Sequence, residues 1–110
     1  MKIEKVVEEF LKLLSQEEVE QAEELIMEEA KGREDEAARY LMKVGIGIWD
    51  EGYHSVTFCC LVTAEKVAKS EGLVEVIIQN LAIVHNNMVS CSKIWESMKK
   101  LNSTIRRVYE

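Results

Sequence analysis

The chain has no proline and only five glycines in 110 residues. Proline breaks helix interiors, and glycine is the commonest left-handed stop, so a chain short of both can pass from helix to helix through tight turns. Cysteine is scarce as well, limited to Cys59, Cys60 and Cys91. An odd count with an adjacent pair is no disulfide framework and points to a reducing compartment. No apolar run approaches the roughly 18 residues needed to cross a bilayer, so no membrane association is expected. The opening MKIEKVVEEF is too acidic for a signal or transit peptide. Together these absences lead to the expectation of a cytoplasmic, single-domain, all-α protein over residues 1–110.

Positive charge is also in short supply, and unevenly so. The net charge is −6. Residues 1–36 carry thirteen acidic and five basic side chains, a net charge of −8, whereas the remainder is net +2. The basic end is Lys93, Lys99, Lys100, Arg106 and Arg107. An acidic chain with so few aromatics among its basic residues argues against a nucleic-acid partner. The asymmetry instead offers a route to self-association, the acidic N-terminal end of one copy meeting the basic C-terminal end of another.

Apolar periodicity predicts about six helices. The first carries Ile3, Val6, Val7, Phe10, Leu11, Leu13 and Leu14 on one side and stops at Ser15. Ser15-Gln16-Glu17-Glu18 then reads as a capping box, with Ser15 as N-cap of a second helix that buries Val19, Ala22, Leu25, Ile26 and Ala30. The glutamates between them read as a solvated face, and Gly32 ends that helix. A third helix runs from Glu34 or Asp35 to Trp49, and Gly52 marks its turn. The fourth runs from about His54 to Ser70, with Gly72 as its terminator, and the fifth from Leu73 to about His85, ended by Asn86 and Asn87. Ser90 is the N-cap of a sixth, whose stripe is Cys91, Ile94, Trp95, Met98, Leu101, Ile105 and Val108. The helices pair into three antiparallel hairpins over 2–32, 34–71 and 73–108, forming either an extended array or a compact bundle. A competing local reading makes residues 44–63 a β-hairpin, since Val44-Gly45-Ile46-Gly47-Ile48 alternates and the stretch after Tyr53 is rich in β-branched residues.

Hairpins spaced by thirty-odd residues are the pattern of helical repeats. Val44-Gly45-Ile46-Gly47-Ile48-Trp49 can be laid on Asn80-Leu81-Ala82-Ile83-Val84-His85. With Gly52-Tyr53, Val56, Cys60 and Ala64 following the first of these, and Ile94 and Met98 the second, the chain resembles the tetratricopeptide-repeat family over roughly residues 37–101. It departs from that pattern in lacking a residue between Gly52 and Tyr53, in Val56 and Ile94 standing where alanine is usual, and in having no closing proline. The resemblance implies a right-handed superhelix that holds a protein or peptide in its concave face without catalysis. Carried over by position, that face comprises Arg39, Met42, Ile46, Trp49, Asp50, Gln79, Ile83, Asn86 and Asn87. The central stretch also looks somewhat like the HEPN family of helical bundles, through Gly52-Tyr53 and Ala64-Glu65-Lys66. No arginine stands four to six residues before His54 or His85, so that resemblance implies an RNA-directed bundle without nuclease activity.

No other constellation points to chemistry. Cys59, Cys60, Cys91, His54 and His85 lack zinc-ligand spacing, and neighbours on a helix point about 100° apart, so the cysteines read as small apolar side chains. The glutamates lack the inward Glu-x-x-His of di-metal bundles. Gly45-Ile46-Gly47 lacks the rest of a phosphate loop and reads as helix packing. His85 reads as a helix-terminal histidine close to the negative end of the helix dipole. No metal, cofactor or catalytic residue is expected.

Overall fold

The computed structural model describes residues 2–87. Over that range the chain is all-helical: α1 (Ile3–Ser15), α2 (Val19–Glu29), α3 (Glu34–Gly47), a 3-10 turn (Trp49–Glu51), α4 (His54–Val67) and α5 (Glu71–Asn87). The expected sixth helix, with Cys91 and the basic end, lies outside the described residues. The β-hairpin alternative is overturned, because residues 44–47 complete α3 and residues 54–63 lie within α4.

The first helix forms as its stripe dictates. Ile3, Val6, Val7, Phe10 and Leu14 are buried on one side while Lys5, Glu8, Glu9 and Lys12 face solvent. Burying each large apolar side chain is worth about 1.5–3 kcal/mol relative to leaving it in water. The turn that follows differs from the expected capping box. Ser15 closes α1 and its hydroxyl donates back to the Lys12 carbonyl at 2.6 Å. The chain reverses at Glu17, which takes a left-handed φ of 60°. The Glu17 amide then bonds the Leu14 carbonyl and the Glu18 amide the Leu13 carbonyl, both at 3.0 Å. This is a Schellman stop built on a glutamate instead of a glycine. Glu18 becomes the N-cap of α2, without a side-chain cap.

Gly32 and Gly52 do what their positions predict, with φ of 84° and 90° at the two remaining left-handed turns. Gly72 does not. It lies in the first turn of α5, and α4 has already ended at Val67, where Ala68 turns extended. The break comes from the far end of the fold. Asp35, at the start of α3, accepts the Lys69 amide at 2.7 Å and the Ser70 amide at 3.1 Å. A side chain satisfying those two amides fixes the α4–α5 connection as non-helical backbone. These bonds hold the Asp35 carboxyl below its ordinary pKa. At the other end, α5 continues through Asn86 and Asn87, where a stop was expected.

α4 occupies the middle. Thr57 through Glu65 are all buried, because the helix packs against α2, α3 and α5. Hence its sequence carries apolar residues around most of the helix, as a core helix requires, with Thr57, Thr63 and Glu65 the buried polar exceptions. α3 and α4 approach most closely at Gly45, where a Cβ would stand 2.9 Å from the Cys60 Cβ. Beside that contact the Thr57 hydroxyl donates to the Gly45 carbonyl at 2.7 Å. The reading of Gly45 as a packing glycine is borne out, whereas Gly47 has nothing within 4 Å of the same position. Contacts also run from α1 to α3 and from α3 to α5. The helices therefore lie in two layers, α1-α3-α5 and α2-α4.

One residue of the glutamate face is not solvated. Glu23 is buried and accepts the Lys66 ammonium at 2.5 Å, joining α2 to α4. Its second carboxylate oxygen, Oε2, is buried without a hydrogen bond among the described residues.

Candidate functional site

The expected concave residues divide between several places. Ile46, Trp49 and Ile83 come together. With Thr57, Asn80 and Val84 they line a groove of about 110 Å³ between the end of α3, the 3-10 turn and α5. Ile46 is 45% exposed and Ile83 59%, high values for side chains of that size. Asp50 is exposed on the 3-10 turn beside this groove, and Gln79 is exposed on α5. Met42 is half-buried against the core. Arg39 lies elsewhere, in a separate cleft of about 260 Å³ with Ile3, Glu4, Glu36, Tyr40 and Lys43 between α1 and α3. Asn86 and Asn87 form the last described residues of α5.

The groove is apolar by construction. The Thr57 hydroxyl at its base is already committed to the Gly45 carbonyl. Asn80 turns its side-chain amide back onto the Val76 carbonyl of its own helix at 2.9 Å. Trp49 is half-buried and stacks on His54, the ring centroids 3.9 Å apart and the planes inclined by 25°. That stack fixes the indole as one wall of the groove. Sequence reasoning gave His54 no part here. The signal was the short step from Trp49 over the left-handed Gly52, which folds the chain back so that the two rings meet.

The volume limits what can enter. Drug-sized ligand sites run to about 300–1,000 Å³. A cavity of about 110 Å³ is the size of a single branched aliphatic side chain, below the range of drug-sized sites. Its walls offer no nucleophile and no acid–base pair. Among the described residues, no three His, Cys, Asp or Glu side chains are grouped so as to hold a metal ion.

Burial pushes the Cys60 thiol up to about 12, and burial, with the neighbouring Cys60 and Glu23, raises Cys59 well above its ordinary value. Both are free and buried. They stay protonated at neutral pH and behave as small apolar side chains. His85 is half-buried, and desolvation lowers its pKa. Burial disfavours the charged imidazolium, which is the direction of that shift.

Among the described residues, no helix is long and apolar enough to cross a membrane. Comparison of the chain with protein-family models, with curated proteins and with solved structures finds no match in any of the three. What the fold and the groove define, among the described residues, is an all-helical body with a small apolar slot on its surface.

Proposed function

We propose that the protein is a non-catalytic binding module that holds an apolar anchor of a protein or peptide partner in the Ile46–Trp49–Ile83 groove. The observation that carries this reading is the clustering of three exposed or half-buried large side chains from two helices and a turn around one slot. Interfaces draw most of their energy from such anchors seated in pockets. A partner helix presenting Leu, Ile or Phe at i and i+4 suits the slot and the ridge of α5 beside it.

The same reading includes a helical-hairpin array similar to a short tetratricopeptide superhelix, with α3 and α5 as successive first helices. It is supported by the contacts of α1 with α3 and of α3 with α5. The burial pattern supports it too. Gly45 and Leu81 are buried, Ile46 and Ala82 exposed, Gly47 and Ile83 exposed, Trp49 and His85 intermediate, at positions that the sequence superposes.

Selection of a displayed library of helical peptides against the wild-type protein tests the reading. Binders enriched on wild type should lose at least tenfold in affinity on Ile83→Asp and on Trp49→Ala. They should keep it on Met27→Asp, a substitution of an exposed apolar residue on α2. Binders that ignore Ile83→Asp would place the binding surface elsewhere.

A further inference from the structure

α2 contributes nothing to the Ile46–Trp49–Ile83 groove, but it carries a larger cleft of its own. That cleft, of about 550 Å³, is lined by Glu23, Glu24, Met27, Glu28 and Lys31. The first four stand at i, i+1, i+4 and i+5, along one side of the helix. Glu24 and Glu28 are exposed carboxylates, and Met27 is 40% exposed.

Glu23 separates this cleft from an ordinary acidic face. Its side chain is only 9% exposed. Oε1 accepts from the Lys66 ammonium, while Oε2 has no donor among the described residues. Buried polar atoms normally have a hydrogen-bond partner, and a buried charge needs one most. The other walls of the cleft supply none. Ionised Glu24 and Glu28 only accept, Met27 has no donor, and Lys31 pairs with Glu28 at 3.0 Å.

The lining also sets the class of donor. Three carboxylates face two ammonium groups, Lys31 and Lys66, so the site favours a cation. A hard divalent metal takes six or more oxygen ligands or keeps its waters, and no three acidic or metal-ligating side chains are grouped to hold one among the described residues. Met27 offers a flexible apolar wall to an aliphatic body. The volume falls within the range of small-molecule sites, about 300–1,000 Å³.

We propose that the α2 cleft is a binding site for a small aliphatic diamine, one ammonium donating to Glu23 Oε2 beside Glu24 and the methylenes lying on Met27. The second ammonium takes Glu28, about 7.5 Å along the helix from Glu23. It displaces Lys31 from an exposed pair of the kind that contributes little. Oε2 is enclosed, and the first ammonium reaches it by a small rotation of the Glu23 carboxylate, whose terminal torsion is broad.

Calorimetric titration of the full chain with 1,4-diaminobutane tests the site. Wild type should bind with a Kd of about 1 mM or tighter. Affinity should fall at least tenfold on Glu23→Gln. It should fall as far on Glu23→Met/Lys66→Met, which removes both charges and so guards against a loss of folding. Glu24→Gln/Glu28→Gln, which leaves the buried pair intact, should weaken binding at least threefold. Ile83→Asp should leave it unchanged, since the groove and the cleft share no residue. Tetramethylammonium, a cation without an N–H, should not compete. Equal binding by wild type and both Glu23 variants would reduce the effect to general attraction by an acidic surface and overturn the proposal. Equal competition by tetramethylammonium, or by Mg²⁺ at the same concentration, would overturn it as well, and so would the absence of binding at about 10 mM diamine.

Discussion

Replacing Gly45 by alanine sets two effects of known sign against each other. Alanine is favoured over glycine in a helix interior by about 1 kcal/mol, so on propensity alone the change stabilises α3. Packing opposes it. The new Cβ stands 2.9 Å from the Cys60 Cβ and 3.5 Å from the Thr57 carbonyl oxygen. Non-bonded carbons prefer about 3.5–4.0 Å, so the overlap is more than half an ångström. A Cβ cannot rotate away from its own backbone, so α3 and α4 must separate. Separation stretches the buried 2.7 Å bond from Thr57 to the Gly45 carbonyl. Overpacking of this kind costs about 1–3 kcal/mol, and straining a buried hydrogen bond about 1 kcal/mol more. After the propensity gain, Gly45→Ala should destabilise the protein by about 1–3 kcal/mol. Gly47, two residues on in the same helix with nothing within 4 Å, is the internal control. There only the propensity term acts, and Gly47→Ala should stabilise by about 0.5–1 kcal/mol. In a thermal melt followed by circular dichroism, about 4–8 °C per kcal/mol separates the two variants in opposite directions from wild type. A Gly45→Ala protein that melts with or above Gly47→Ala would refute the close approach of α3 and α4.

Glu17→Gly should raise stability by about 1 kcal/mol in urea denaturation, because the left-handed conformation strains a residue with a Cβ by about that amount; no change would mean the turn relaxes without it. Lys66→Met should cost about 2 kcal/mol by leaving the buried Glu23 carboxylate unpaired, while Glu23→Met/Lys66→Met should return to within about 1 kcal/mol of wild type in a double-mutant cycle. Asp35 sits below its ordinary pKa of 3.8 in the folded state, so its contribution is present above that value and lost as pH falls through the depressed one. The stability difference between wild type and Asp35→Ala should be constant at about pH 5 and above and shrink in more acidic solution, read by melts across pH 2–6. Maleimide should modify neither Cys59 nor Cys60 in the folded protein at pH 7 and should modify both in denaturant, as mass spectrometry of peptides would show.

The helices of the described chain were legible because each stripe repeats at helical spacing, from Ile3 and Phe10 in α1 to Ile77 and Leu81 in α5. The turns were legible only where glycine marks them, at Gly32 and Gly52. Glu17 was passed over because a glutamate in a left-handed stop carries no compositional mark. Gly72 misled in the opposite direction, since the α4–α5 break is imposed by Asp35, distant in sequence. The same distance hid the pairing of Glu23 with Lys66, which takes one glutamate out of a face that otherwise looks uniformly solvated. Within the candidate site, Ile46, Trp49 and Ile83 were reachable from the repeat alignment. Arg39 could not be separated from them by spacing, because its position depends on how α1 lies against α3. The His54 stack required knowing that the chain doubles back at Gly52.

α4 has a consequence for how the protein is made. An amphipathic helix can wait in water with its apolar side resting on whatever has folded before it, but α4 is buried continuously from Thr57 through Glu65. Its cover comes from both directions along the chain: α2 and α3 leave the ribosome before it, and α5 after it. Between Val67 and Asn87 a ribosome adds about 5–20 residues per second, so α4 spends about 1–4 s without its second half of shelter. During that interval Phe58, Leu61 and Val62, all buried in the finished fold, lack part of their cover. Loss of that cover, not a weakness of the finished fold, is then the step at which aggregation competes with folding.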